Sequence, residues 1–398
     1  MQILSVHSRY QIRGGEEEVF ESESGLLREM GHRVEVYEES NDCVADSALW
    51  RMALKTIWSD EAYQIASRRL TEHSYNVVHV HNFFPPISPS IYYAAKTKGV
   101  PVVQTLHNYR LLCPNALLFR EGRICEDCCG KSIPWPGILH GCYRGSRAAT
   151  GATALMLTVH RAMSTWTEMV DCYIALTEFA RQKFIKGGLP ADKIVVKPNF
   201  VHPDPGIGQG NGGYALYVGR LSVEKGIDTL LAAWERLDGR IPLRIIGDGP
   251  LAGQVIEATK RLSQVEWLGR RPMSEVYHLM GEAAMLIFPS KWYETFGRVA
   301  VEAFAKGTPV VAAGLGALAE LVERDRTGLH FCPGDPEDLA AKVDWLLARP
   351  KELARMRREA RLEYETKYTA EKNYQQLIEI YKRVRYPCTQ LAIADPVS

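Results

Sequence analysis

Short runs rich in Val and Ile, apolar along both faces, recur between longer helical stretches, and this rhythm limits the chain to few architectures. They fall at residues 2–6, 34–37, 77–80 and 100–106. A strand that is apolar on both faces needs cover on both, which a parallel sheet obtains from the helices of its crossovers. The rhythm pauses at residues 204–213, dense in Gly and Pro, and resumes at 214–218, 243–246, 284–288 and 309–312. The pause reads as a linker. The pattern predicts two doubly wound, parallel-sheet α/β domains, residues 1–203 and 214–370, facing across a cleft. Ligands are expected at the carboxyl ends of the strands, in that cleft. Residues 352–385 are helical by pattern, with Tyr374, Leu377, Ile378 and Tyr381 on one stripe, and the closing helix is set at 371–388.

Charge excludes some partners. The 398 residues carry 48 Lys plus Arg against 47 Asp plus Glu, a formal net charge of +1. No global field draws such a chain to nucleic acid or to an anionic membrane, so any such contact must be a local patch. No apolar run reaches about 18 residues and residues 1–10 lack the stretch a signal peptide needs, so a cytoplasmic protein is expected.

Chemistry-bearing residues gather after the strands of the second half. Gly219-Arg220-Leu221-Ser222-Val223-Glu224-Lys225-Gly226 is a strand-to-helix turn, where backbone donors, a helix dipole and two cations could meet a diphosphate. By itself it could equally be a solvated basic loop. Glu294 and Glu302 lie eight residues apart across the start of a helix. A rise of 1.5 Å per residue sets them about 12 Å apart, too far for a hydrolytic carboxylate pair. Either they are a surface pair, or they grip opposite ends of one extended ligand, with the amides of Phe296, Gly297 and Arg298 facing a phosphate between. Gly247-Asp248-Gly249-Pro250 and residues 314–320 are further turns after strands, and all would collect along one sheet edge.

The Gly-Arg-Leu-x3-Lys-Gly of 219–226, the Pro-Ser-x2-Tyr-Glu-Thr-Phe-Gly of 289–297, the Glu-x7-Glu of Glu294 and Glu302, and residues 314–320 together resemble the donor domain of retaining GT-B glycosyltransferases, the "glycosyl transferases group 1" (family four) class. That resemblance covers nearly the whole chain. It implies a GT-B fold with an N-terminal acceptor-binding and a C-terminal donor-binding domain, the last helix crossing back to the first. It implies a nucleotide diphosphate sugar as donor, a UDP-sugar here with GDP-mannose as the alternative, and a glycan or lipid-linked acceptor. Arg220 and Lys225 would meet the diphosphate, Glu294 the sugar hydroxyls and Glu302 the ribose, and the base would pack near Leu268 and Arg270. Transfer would proceed with net retention. No Asp-x-Asp occurs in the sequence, which agrees with the family's use of no catalytic metal. A catalytically silent binding or scaffold protein of the same fold is the competing reading, and the joint presence of these residues argues against it.

In the first half, Gly14 and Gly15 follow the first strand and allow close backbone approach to a ligand; in the family this loop touches donor phosphate and acceptor. Glu16, Glu17 and Glu18 suit the first helical turn and are expected to point outward. His107 ends the strand at 100–106, as His79 and His81 end 77–80. A strand-end histidine is commonly structural; the His-Asn at 107–108 resembles the family's sugar-contacting histidine, His81 would shape the acceptor side, and His79 is read as structural. Cys113, Cys125, Cys128 and Cys142 lie in a loop-like insert at about 113–142 and could form a closed structural zinc site, with Cys129 and His140 as alternative ligands and plain reduced thiols as the other reading. Trp50, Arg51, Lys55, Trp58, Arg68 and Arg69 form a helical stretch that either packs inward or touches a membrane surface, the protein then being peripheral at its inner face.

Overall fold

The computed structural model describes residues 1–9, 14–40 and 49–386, with backbone only for residues 49 and 50. The first six-stranded sheet contains β1 (Gln2–Arg9), β2 (Arg33–Ser40), β3 (Val77–Val80) and β4 (Val102–Thr105). A small antiparallel hairpin, β5 (Phe119–Arg120) and β6 (Arg123–Ile124), stands apart in the cysteine-rich insert. The sheet is completed by β7 (Cys172–Ala175) and β8 (Ile194–Val196), in the order β2-β1-β3-β4-β7-β8. All its pairings are parallel.

The second six-stranded sheet contains β9 (Ala215–Val218), β10 (Leu243–Ile246), β11 (Val265–Gly269), β12 (Met285–Phe288), β13 (Val310–Ala313) and β14 (Gly328–Phe331). Its order is β11-β10-β9-β12-β13-β14, again wholly parallel. Two doubly wound parallel sheets give the α/β class expected from the doubly apolar strands: all four residues of β3, β4, β7, β12 and β13 are buried. Pro309, with no N–H to donate, precedes Val310 and joins the pairing through its carbonyl alone, which accepts from the Leu286 amide at 2.9 Å.

Helices cover each sheet by burying one stripe. Helix Ile227–Leu237 places Ile227, Leu230, Leu231, Trp234 and Leu237 in the second core, the i, i+3, i+4, i+7 spacing of an amphipathic helix. Helix Pro350–Lys367 packs Ala360 and Tyr364 on the same domain. At Thr369, whose hydroxyl accepts from the Lys372 amide, the chain turns into helix Ala370–Arg385. Leu377, Ile378, Ile380 and Tyr381 of that helix pack against Ile3, Val77, Val103 and Ile174 of the first sheet. The last described helix thus closes the core of the first sheet.

Candidate functional site

In an open parallel sheet, neighbouring strands whose connections leave in opposite directions open a crevice at their carboxyl ends. In the second sheet that point lies between β9 and β12. The turn 219–226 follows β9, and 289–297 follows β12. They pack tightly enough to need glycine. Gly226 has φ 71°, and a Cβ there would sit 2.0 Å from the Pro289 carbonyl oxygen. Gly247, at φ 136°, backs onto Gly219, whose carbonyl a Cβ would meet at 1.8 Å. A cleft of about 760 Å³ opens above these turns, lined by Gly14 and Gly15 from the first domain and by Arg220, Lys225 and Arg270 from the second. That volume suits a small ligand. Leu268, half-buried, leans on the apolar core beneath, and Arg270 stands 3.8 Å from Asp248.

Glu294 is buried beside this cleft and its Oε1 accepts three bonds: from Lys225 Nζ at 2.6 Å, Ser290 Oγ at 2.7 Å and Trp292 Nε1 at 2.8 Å. Lys225 also lies over the Trp292 ring, 5.3 Å from its centroid. A carboxylate fixed by three donors has its orientation set before any ligand arrives. Lys225 and Glu294 are therefore one bonded unit rather than two separate grips.

Gly297, at φ 106°, begins helix Arg298–Ala305, so the amides of Phe296, Gly297 and Arg298 stand at a helix N-terminus. The Phe296 side chain is buried in the core. Arg298 Nε is 3.0 Å from Glu302 Oε1, and Arg298 Nη1 donates to Glu18 of the first domain. The acidic run 16–18 therefore does not point outward. Glu18 crosses to Arg298, Glu17 turns back so that its Oε2 accepts from the Gly14 amide at 2.9 Å, and Glu16 accepts from Asn108 Nδ2 at 3.4 Å. These carboxylates do occupy the first helical turn, and what draws Glu18 inward is a guanidinium 280 residues away.

Two carboxylates share the Arg298 guanidinium. Burial pushes the Glu302 carboxyl up from 4.5 to about 7, Arg298 opposing this and Glu18 adding to it. An acid raised on folding costs stability above its unfolded pKa, because the unfolded chain has already released the proton the folded chain keeps. Wild-type stability should thus fall relative to Glu302→Gln as pH rises from about 4.5 to 7, read from denaturant midpoints at pH 5 and pH 8. A difference between the two proteins that does not change with pH would contradict this.

The facing wall comes from the first sheet. His107, beyond β4, has Nε2 3.0 Å from His81 Nδ1, and the rings stack with centroids 5.3 Å apart. His81 Nε2 and His79 Nδ1 lie 3.4 and 3.3 Å from Glu23 Oε1, and Lys197 Nζ donates to Glu23 Oε2 at 2.9 Å. Burial, reinforced by His81, holds His107 well below the usual histidine range, so it is neutral at pH 7. Burial alone would raise the Glu23 carboxyl, but Lys197, His81 and His79 outweigh it and hold Glu23 well below the carboxylate range. His79 also bonds Tyr381 at 2.7 Å and Thr105 at 2.8 Å. Glu23, His79 and His81 have metal-ligand spacing, yet Lys197 already supplies the positive charge there.

The walls meet directly. Thr295 Oγ1 donates to the His107 carbonyl at 2.8 Å and Tyr109 OH to the Glu294 carbonyl at 3.3 Å. Glu320 accepts from the Glu178 and Phe179 amides at 2.9 and 2.8 Å, so the turn at 314–320 caps a first-domain helix.

Residues 13–205 match the family model described as Glycosyltransferase Family 4, and residues 208–363 the model described as Glycosyl transferases group 1. The chain belongs to the group 1 glycosyltransferases. This family member is 30% identical over 249 residues to glycogen synthase of Mycobacterium tuberculosis, an alignment covering 58% of each chain. It therefore spans a little over half the length of that relative. Among solved structures, Anabaena HepE in complex with UDP superposes with a TM-score of 0.69 at 19% identity, covering 96% of this chain and 100% of that one. The lipopolysaccharide outer core galactosyltransferase WaaB does so at 0.65 and 18%, covering 95% and 99%. At such identities the likeness shows the fold, which is GT-B.

In this group 1 chain, Cys113, Cys125, Cys128 and Cys142 all line one small cavity, and neither Cys129 nor His140 does. Trp58 is half-buried, which follows the inward-packing reading. Its ring packs on Tyr63 and Tyr93, and its Nε1 donates to Asp60 at 2.8 Å. The Trp50 side chain lies outside the described residues. Glu23 and Lys197 are the site residues that sequence reasoning missed. A signal existed for Glu23: it falls on the buried stripe of helix Gly15–Glu29 with Val19, Phe20, Leu26 and Leu27, where an acid needs a partner.

Proposed function

We propose that this protein transfers a sugar from a nucleoside diphosphate donor, a UDP-sugar, to a hydroxyl acceptor with retention at the anomeric carbon. The observation that carries the reading is the Lys225–Glu294 unit, fixed by Ser290 and Trp292 at the crevice of the second sheet and facing a cleft closed by Gly14 and Gly15. Arg220, Lys225 and the amides at the start of helix Arg298–Ala305 meet the diphosphate. Glu294 receives sugar hydroxyls and Glu302 the ribose. The bond from the anomeric carbon to phosphate oxygen breaks, the acceptor oxygen bonds that carbon from the same face, and its proton passes to the departing phosphate. His107, neutral, contacts the sugar from the opposite wall. The absence of Asp-x-Asp from the sequence supports a diphosphate held by these cations and amides. HepE, solved with UDP, supports the choice of base. WaaB supports a cell-surface glycan or lipid-linked acceptor.

Release of nucleoside diphosphate from a panel of UDP- and GDP-sugars tests this. UDP released in step with a glycosylated product is the expected result, the anomeric proton coupling showing retention. Nucleotide binding without transfer or donor hydrolysis would instead make the protein a silent member of the family.

Cys113, Cys125, Cys128 and Cys142 are proposed to hold one structural zinc that ties the insert. Their shared cavity supports this, and four sulfurs complete a tetrahedral shell with no open position. No three of the sulfurs lie within 4.8 Å of one another, so binding would draw the loop inward. Burial and neighbouring thiols push Cys128 up to about 12, a proton that zinc would displace. Protein purified without chelator is expected to contain close to one equivalent of zinc by elemental analysis, and less than about half would contradict the site. Mild chelation should leave transfer intact.

A further inference from the structure

Large apolar side chains are exposed in one part of the first domain. Trp135 is 56% exposed, and Ile133, Leu139, Leu155 and Met163 are about as open to solvent. Trp135 and Leu139 are four residues apart on helix Trp135–His140, so they share a face, while Pro136 and Gly137 between them are buried. Helix Arg147–Ala162 runs alongside. Arg147 Nε donates to the Leu139 carbonyl at 3.1 Å near its start, and Arg161 donates to the Lys131 and Ser132 carbonyls at its end. Leu155 on that helix and Met163 just beyond it are exposed as well.

The chain that forms this surface is poor in acids, and the acids just before it are paired, Asp127 with Arg120 and Glu126 with Lys183 and Lys186. Residues 128–167 contain no Asp or Glu, although acids make up 47 of the 398 residues, and they contain Lys131, Arg144, Arg147 and Arg161. Lys131 and Arg144 are exposed. An exposed Trp with aliphatic neighbours inside a cationic rim matches the headgroup boundary of an anionic bilayer, where the indole sits at the interface and cations meet lipid phosphates. No helix among the described residues is long and apolar enough to cross a membrane, so such contact would be peripheral. Just before the insert in sequence, Arg110 and Leu111 line a small pocket with His81 and His107.

We infer that the surface formed by Ile133, Trp135 and Leu139, rimmed by Lys131 and Arg144, docks the protein on anionic phospholipid. Binding needs no donor, so its failure is distinguishable from failure of the transferase reading. Co-sedimentation with phosphatidylglycerol-containing vesicles, against pure phosphatidylcholine, tests it. Wild type should bind the anionic vesicles and release them at high salt. Reversing Lys131 and Arg144 to Glu should weaken binding about 25-fold or more, at about fivefold per cation. Trp135→Ser with Leu139→Ser should also abolish it, and both variants should retain UDP binding. Equal binding to neutral vesicles, or unchanged binding in both variants, would overturn the inference. So would wild-type self-association in sedimentation velocity, lost in Trp135→Ser and without vesicle binding, since the face would then cover a second copy of the chain.

Discussion

Lys225→Ala is expected to lower kcat by about 10²–10³, the usual consequence of removing one donor that meets developing negative charge. Charge on the diphosphate grows as the anomeric bond breaks, so the loss should exceed any rise in donor KM. Arg220→Ala should behave alike, but the two are not equivalent in the structure. Lys225 is bonded to Glu294 at 2.6 Å, whereas Arg220 lies exposed on the cleft wall. Removing Lys225 leaves a buried carboxylate held by Ser290 and Trp292 alone, so Lys225→Ala and Glu294→Gln should be strongly non-additive. Steady-state kinetics on the two single variants and the double variant measure this. Additive losses in kcat would show that the pair is not the unit described.

Lys197→Met should be the most destabilising of the single changes considered, by about 3–5 kcal/mol, because it leaves Glu23 as an uncompensated buried charge. Lys197 and Glu23 are each about 1–2% exposed in their side chains. The double variant Glu23→Gln/Lys197→Met should recover much of the loss, since it removes both charges. The sign with pH follows from the depressed values. Glu23 stabilises the fold above the ordinary carboxylate pKa, and this is lost as pH falls through its folded value. His79 and His107, held neutral by burial, lose stability as pH drops below about 6.5, where the unfolded chain takes up protons that they refuse. Glu302 works the other way over this range, so the Glu302→Gln variant isolates the histidines: its urea denaturation at pH 7.5 and 5.5 should show the acid loss, and a variant more stable at pH 5.5 would contradict it.

Much of the architecture was legible because it follows from local pattern. Strands apolar on both faces admit little besides parallel sheets, and the Gly-Arg-Leu-x3-Lys-Gly and Glu-x7-Glu motifs carried the family resemblance that the family models match. Relationships between distant residues were not legible. Glu18 and Arg298, Glu320 and the Glu178 amide, and Lys197 and Glu23 are joined across more than 140 residues, and nothing in the spacing of either partner announces the other. In the insert the cysteines carry a spacing signal, whereas the exposure of Trp135 depends on which face of the short helix Trp135–His140 the fold turns outward. The stretch read as one helix is two, Leu49–Ile57 and Asp60–Glu72, and between them Trp58 packs on Tyr63 and Tyr93, a ring contact that helical spacing does not announce.

Calorimetric titration of UDP into wild type and into three variants decides whether this cleft is the donor site. One UDP should bind per wild-type chain, with at least tenfold weaker binding in Arg220→Ala and in Lys225→Ala, each of which lacks a charge-assisted contact to the phosphates, and near wild-type affinity in His107→Ala, which faces the sugar. Wild-type UDP affinity in both cation variants, or no binding to wild type at all, would contradict the assignment of this cleft as the donor site.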